Sequence, residues 1–141
     1  MTSRQIEIIE NSWDFILLDP QGAGEIFYSK LFTLEPSLRR LFNEDIKSQS
    51  QKLISMITFF VHKVNDLDEL MSDVRDLGVR HKKYNVRQEH FTIVATALLW
   101  TLENKLGKSW DEETKNAWVT MYSIISKTMI DAVNESQTVE L

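Results

Sequence analysis

Apolar residues recur along this chain at helical spacing, in segments too long to read as a series of short strands. Ile6, Ile9, Trp13, Ile16 and Leu17 form the first stripe, opened by Thr2 and Gln5 in capping-box spacing. Asp19-Pro20 ends that helix. Pro20 fits the first turn of a second one, predicted to run to about Glu35 with Gly24, Tyr28, Leu31 and Phe32 on one face. A tyrosine hydroxyl is thus carried into the apolar side, and Gly24, one turn earlier, exposes bare backbone to a crossing helix. Pro36 to Leu41 reads as a short turn and Asn43-Glu44-Asp45 as a loop, with no separate helix before the next long one. That one is predicted from near Ile46 to about Asn65. Its inner face is Gln49, Leu53, Met56 or Ile57, and Phe60, with Lys52 at the solvent edge, its stem covering apolar surface.

Asp66 and Glu69 are spaced to open a further helix, and Leu70, Val74, Leu77 and His81 follow along one of its faces. His81 therefore points where the leucines point. An imidazole so placed needs a partner, which a backbone carbonyl or a metal can supply. Lys82 and Lys83 suit the negative end of the helix dipole, and Tyr84-Asn85 reads as the turn out. From Arg87, Phe91, Val94, Ala95, Leu98 and Leu102 line a long helix that Gly107 stops. Ser109 and Glu112 are spaced to open a last helix with Ala117, Trp118, Met121, Tyr122, Ile125 and Met129 inward, and residues 134–141 are expected to fray. Of the other two histidines, His62 reads as a surface residue and His90 as partly exposed, beside the inner stripe of its helix.

Composition narrows the chemistry. A chain of 141 residues is expected to form one domain, and 4 glycines and 2 prolines suit an all-α one. A net charge of −5, from 21 acidic against 16 basic residues, gives no reason to expect nucleic acid or an anionic membrane surface. There is no cysteine, which excludes disulfides, thiolate ligands and covalent haem attachment through C-x-x-C-H. No basic segment followed by an apolar core opens the chain, and its longest apolar stretches are too short for a bilayer, so the cytoplasm is the expected compartment. No Ser-His-Asp spacing, H-E-x-x-H, glycine-rich phosphate loop or EF-hand loop offers a rival site. One inward histidine cannot hold zinc by itself, but it can hold an iron whose equatorial ligands come from a porphyrin.

In this order the residues resemble the globin family over nearly the whole chain: Trp13, then Gly24 and Tyr28, Pro36 ahead of Phe42, Gln49 and Leu53, His81, and Trp118 in the last helix. Tyr28 and Gln49 as a distal pair, with the short loop from Phe42 to Gln49, look like bacterial single-domain haemoglobins and the haem domains of flavohaemoglobins. The resemblance implies a globin fold with helices packed around a pocket for non-covalent haem b. It makes His81 the proximal iron ligand, puts Tyr28, Gln49 and Leu53 on the ligand side, and puts Phe42, Lys52, Leu77, Tyr84, Val86, Phe91 and Val94 against the cofactor. Ser50 resembles the small residue that accepts the close approach of Gly24. The implied act is reversible binding of O2, and of NO or CO, by a monomer or weak homo-oligomer. With no histidine at position 49, the sixth coordination position is expected to lack a protein ligand.

Two departures from the flavohaemoglobin pattern bear on activity. A tyrosine and a glutamate that orient the proximal histidine there correspond here to Phe91 and Val133, although Asp131 and Glu135 are near in sequence. Neither Phe91 nor Val133 polarises an imidazole, so electron donation to iron is expected to be weaker. The chain also ends where the flavin and nicotinamide domains of that family would begin. A nitric oxide dioxygenase, the alternative to an oxygen carrier, would thus depend on a separate reductase. A haem-free or haem-sensing helical module is the third class, and it has no need of Tyr28, Gln49 and His81 together.

Overall fold

A computed structural model describes the backbone of residues 1–42, 45–82 and 88–139, and their side chains apart from those of 67, 78–82, 88 and 133–139. Six α-helices follow in order: α1 (Ser3–Ile16), α2 (Pro20–Leu34), α3 (Ile46–Lys63), α4 (Leu67–Lys82), α5 (Gln88–Leu106) and α6 (Glu112–Val139). Short 3-10 turns at Pro36–Leu41 and Gly107–Ser109 link α2 to α3 and α5 to α6. No strand is present among the described residues. The helical stripes meet as an all-α bundle, in which α2 crosses α3 and α5 while α6 packs on α4 and α1.

The helix starts are set by short polar side chains. Thr2 and Gln5 form the expected reciprocal box, each side chain accepting from the other residue's backbone N–H at 3.0 Å. Asp19 accepts from the Gly22 amide ahead of Pro20, and Asp45 accepts from the Ser48 amide at 2.8 Å to open α3. Two expected boxes form differently. Asp66 does accept from the Glu69 amide at 3.2 Å, but the Glu69 carboxylate reaches Lys63 across the turn, because an ammonium attracts it more than a neutral amide does. The box expected of Ser109 and Glu112 does not open α6. Gly107, with φ 53°, turns the chain into a 3-10 segment that takes up Ser109, so Asp111 becomes the cap and accepts from the Thr114 amide at 2.8 Å. The α6 backbone is helical to Val139, through most of the segment expected to fray.

Two tryptophans join the layers. Trp13 and Trp118 are fully buried with ring centroids 5.8 Å apart. Each buried indole N–H finds a hydroxyl: Trp13 donates to Thr58 Oγ1 at 2.9 Å and Trp118 to Ser12 Oγ at 2.8 Å. This ties α1 to both α3 and α6. A close approach lies between α2 and α3, where a Cβ built on Gly24 would fall 2.3 Å from Ser50 Cβ. Gly24 and Ser50 meet as expected, and only a glycine fits that crossing.

Candidate functional site

The crossing at Gly24 brings Tyr28, one turn later, against the start of α3. Tyr28 is 4% exposed, and its hydroxyl donates to the Gln49 backbone carbonyl at 3.3 Å. Its ring is fixed edge-on by Phe27 and Phe42, at centroid distances of 5.0 and 5.3 Å, and Phe32 closes the cluster. Burial pushes the Tyr28 hydroxyl up to about 12, so it stays a neutral donor at ordinary pH. Tyr28 and Gln49 are therefore brought together, but through the Gln49 backbone: the phenol proton lies on that carbonyl.

An apolar cavity of about 150 Å³ opens between α3, α4, α5 and α6, and Phe27 of α2, which packs on the Tyr28 ring, is on its wall. Leu53, Leu77, Phe91 and Val94 are on its walls, with Met56, Ile57 and Phe60 of α3 and Met121, Ile125 and Met129 of α6. Tyr28, Gln49 and Phe42 are not on those walls, and Lys52 is exposed on the outer side of α3. His81 stands in the last turn of α4, with its side chain outside the described residues, as are Tyr84 and Val86 altogether. Val133 and Glu135, expected near the proximal side, are described in backbone only.

Three polar side chains interrupt the apolar lining: His90, Tyr122 and Ser126. His62 is exposed, as expected, whereas His90 is half-buried and on the cavity wall at the start of α5. It lies near the C-cap of α2: the Glu35 carboxyl is held below its ordinary range chiefly by the Ser37 hydroxyl, with a smaller pull from the charge of His90. Tyr122 donates its hydroxyl to the Phe91 carbonyl, and burial pushes that hydroxyl well above the ordinary tyrosine range. Sequence reasoning missed both as site residues. Tyr122 belonged to the inward stripe of α6, which was the only signal for it. His90 sits beside its stripe, and periodicity reports the direction of a face without the width of the space it borders.

The sequence profile of the globin family matches residues 25–129. The chain belongs to the globin family. Among curated relatives, neuroglobin of Tetraodon nigroviridis and neuroglobin-1 of Oncorhynchus mykiss are each 29% identical to it, over 92% of this chain and 90% of theirs. Among solved structures, a bacterial globin from Campylobacter jejuni superposes with a TM-score of 0.82 at 26% identity, covering 97% of this chain and 99% of its own. A hexacoordinated haem protein from an anhydrobiotic tardigrade reaches a TM-score of 0.84 at 18% identity, over 95% and 96% of the two chains, a likeness of fold. No helix among the described residues is long and apolar enough to cross a membrane.

Proposed function

We propose that this chain binds haem b non-covalently in the cavity, with His81 as the iron ligand, and that its main act is reversible binding of O2 or another diatomic ligand. Haem binding is typical of the globin family. The observation that carries the reading is the meeting of Tyr28 with Gln49, hydroxyl to carbonyl at 3.3 Å, beside an apolar cavity. The lining suits an apolar macrocycle: Leu53, Leu77, Phe91 and Val94 offer hydrocarbon on several sides with few polar groups between. Phe42 and Lys52 would hold its rim, together with Tyr84 and Val86. Haem b bound here supplies the iron at which the diatomic ligand is taken up.

The chain's own part is to supply donors. Tyr28 keeps its proton to about pH 12, and rotation about its C–O bond redirects that proton from the Gln49 carbonyl toward the ligand. The Gln49 amide is a second donor. A hydrogen bond to a charged partner contributes about 1.5–3 kcal/mol, so one such bond slows ligand release roughly tenfold or more. Carbon monoxide acquires less charge than O2 and gains less. On the other side, Phe91 has no hydroxyl and its carbonyl is engaged by Tyr122, which favours ligand binding over catalytic turnover. A nitric oxide dioxygenase would need a reductant to restore ferrous iron.

Absorption spectra of the purified chain with haemin test this, in the wild type, His81→Ala and His90→Ala. The expected wild type has a Soret band, a five-coordinate ferrous form and a stable spectrum in air. His81→Ala loses that ferrous spectrum and added imidazole restores it, while His90→Ala keeps it. Absence of a Soret band removes the cofactor, and loss in His90→Ala alone moves the ligand to α5. A six-coordinate low-spin ferrous form without added ligand contradicts the open sixth position. Multiple-turnover NO consumption with a reductant would favour the dioxygenase.

A further inference from the structure

Hydroxyl groups on the helices of this chain mostly turn back on their own helix: Thr58, Thr96, Thr101, Thr120 and Thr128 each donate to the carbonyl four residues earlier. Tyr122 does not. Its hydroxyl leaves α6 and donates to the Phe91 carbonyl of α5. Both residues are on the cavity wall, so this bond ties together two sides of that wall. Phe91 stands in the first turn of α5, which in the chain follows the stretch carrying Tyr84 and Val86. As a helical carbonyl it already accepts from the amide four residues on, and the Tyr122 bond uses its second lone pair. Burial pushes the Tyr122 hydroxyl well above the ordinary tyrosine range, so the donor keeps its proton at ordinary pH.

We propose that Tyr122 is a positioning residue for the cofactor: by tying the first turn of α5 to α6 it fixes the α5 wall of the cavity, and so sets how long haem b stays bound. This rests on the haem reading given above. A macrocycle is rigid and is held by dispersion from the side chains around it, here Phe91 and Val94 of α5 with Leu53 of α3. Dispersion is short-ranged, and a gap of about 0.5–1 Å forfeits about a quarter to a half of each contact. The α5 wall therefore has to stay in place. Apolar burial is non-directional and does not by itself fix where the helix stands, whereas a hydrogen bond from α6 does. Tyr122 supplies that bond with little loss of freedom, because a tyrosine has two side-chain torsions and its ring is already packed against the core.

Transfer of haem from the haemin-loaded chain to an excess of a haem-free scavenger globin tests the proposal, in the wild type, Tyr122→Phe and Thr101→Val. Tyr122→Phe keeps the ring and leaves the Phe91 carbonyl its bond within α5, so the far-ultraviolet circular dichroism should not change. It is expected to lose haem about tenfold faster, the scale set by one hydrogen bond. O2 release should be unchanged, because Tyr28 and Gln49 are untouched. Thr101→Val is the control: it also deletes a hydroxyl of α5, buried and bonded to the Ala97 carbonyl of the same helix, but Thr101 is not on the cavity wall. Its haem loss should match the wild type. A Soret band in both proteins with equal haem loss in Tyr122→Phe and wild type overturns the Tyr122 assignment alone. So does a Thr101→Val that loses haem as fast as Tyr122→Phe, since loss then follows general destabilisation. A wild type with no Soret band overturns the haem reading and this proposal together.

Discussion

Replacing Gly24 with alanine tests whether the crossing of α2 and α3 positions the Tyr28–Gln49 pair. The new Cβ would lie 2.3 Å from Ser50 Cβ, 2.4 Å from Ser50 Oγ and 3.0 Å from Ser50 Cα. Rotating the serine hydroxyl relieves only the Oγ contact, since the positions of Cα and Cβ are fixed by the α3 backbone. The helices must therefore separate. Overpacking of this kind costs about 1–3 kcal/mol, and the clash is with atoms that cannot swing away, so the upper half of that range applies. Alanine returns about 1 kcal/mol through its better helix propensity, leaving a net loss of roughly 1–2 kcal/mol. Urea unfolding measures it, together with Gly24→Val, where the propensity gain shrinks and the clash grows.

The decisive comparison is the double variant. Ser50→Gly removes both Cβ and Oγ, leaving only the 3.0 Å approach to Cα, so Gly24→Ala in that background should cost at least about 1 kcal/mol less than in the wild type. Ser50 Oγ is buried without a hydrogen-bond partner, so deleting it strands no other group. If Gly24→Ala is as stable as the wild type, or the two substitutions are additive, the close crossing does not hold the pair and the reasoning fails.

Two other outcomes follow from the same region. Tyr28→Phe removes a hydrogen bond of 3.3 Å, so stability should fall by less than about 1 kcal/mol while O2 release from the haem-loaded protein quickens roughly tenfold or more; stopped-flow release unchanged from wild type would remove Tyr28 from the ligand side. Alkaline titration is the other. Below about pH 10 both states keep the Tyr28 proton, whereas above it the unfolded chain ionises and the folded Tyr28 holds on until about 12, so stability present below pH 10 is lost as pH rises, by about 1.4 kcal/mol per unit for this group. Absorbance at the tyrosinate band and urea unfolding should show it, and Tyr28→Phe should flatten the slope; identical slopes in the two proteins would contradict the burial of that hydroxyl.

What the sequence made legible was whatever local chemistry and period decide. Thr2 with Gln5, Pro20 after Asp19, and a close helix crossing at Gly24 were all readable, because each depends on a short-range rule or on a residue with no side chain to mistake. Ser50 as the partner in that crossing came instead from the family resemblance. Glu69 and Ser109 were misread for one reason. Both outcomes are decided by how the preceding turn folds: it brings Lys63 to the Glu69 carboxylate in one case, and in the other it takes up Ser109 so that Asp111 becomes the cap. His90 shows a different limit. Its position beside the α5 stripe is correct, yet the cavity spans several helices and takes in side chains off the stripe's centre.

Tyr28 shows why a residue's face does not yet determine what its polar atom does. Period places the ring inward, and the ring is indeed inward, wedged among Phe27, Phe32 and Phe42. The hydroxyl has a single proton, and in a buried setting that proton takes the nearest acceptor, here the Gln49 carbonyl. A ligand that recruits Tyr28 must outcompete that carbonyl, so only a ligand that gathers negative charge gains much from it. On the proposed reading the pairing would act as a selector, the Gln49 backbone setting a threshold that a weakly polar ligand does not pass. The fraction of O2 over carbon monoxide affinity lost in Tyr28→Phe measures that threshold, and equal losses for both ligands would show that the phenol acts by packing alone.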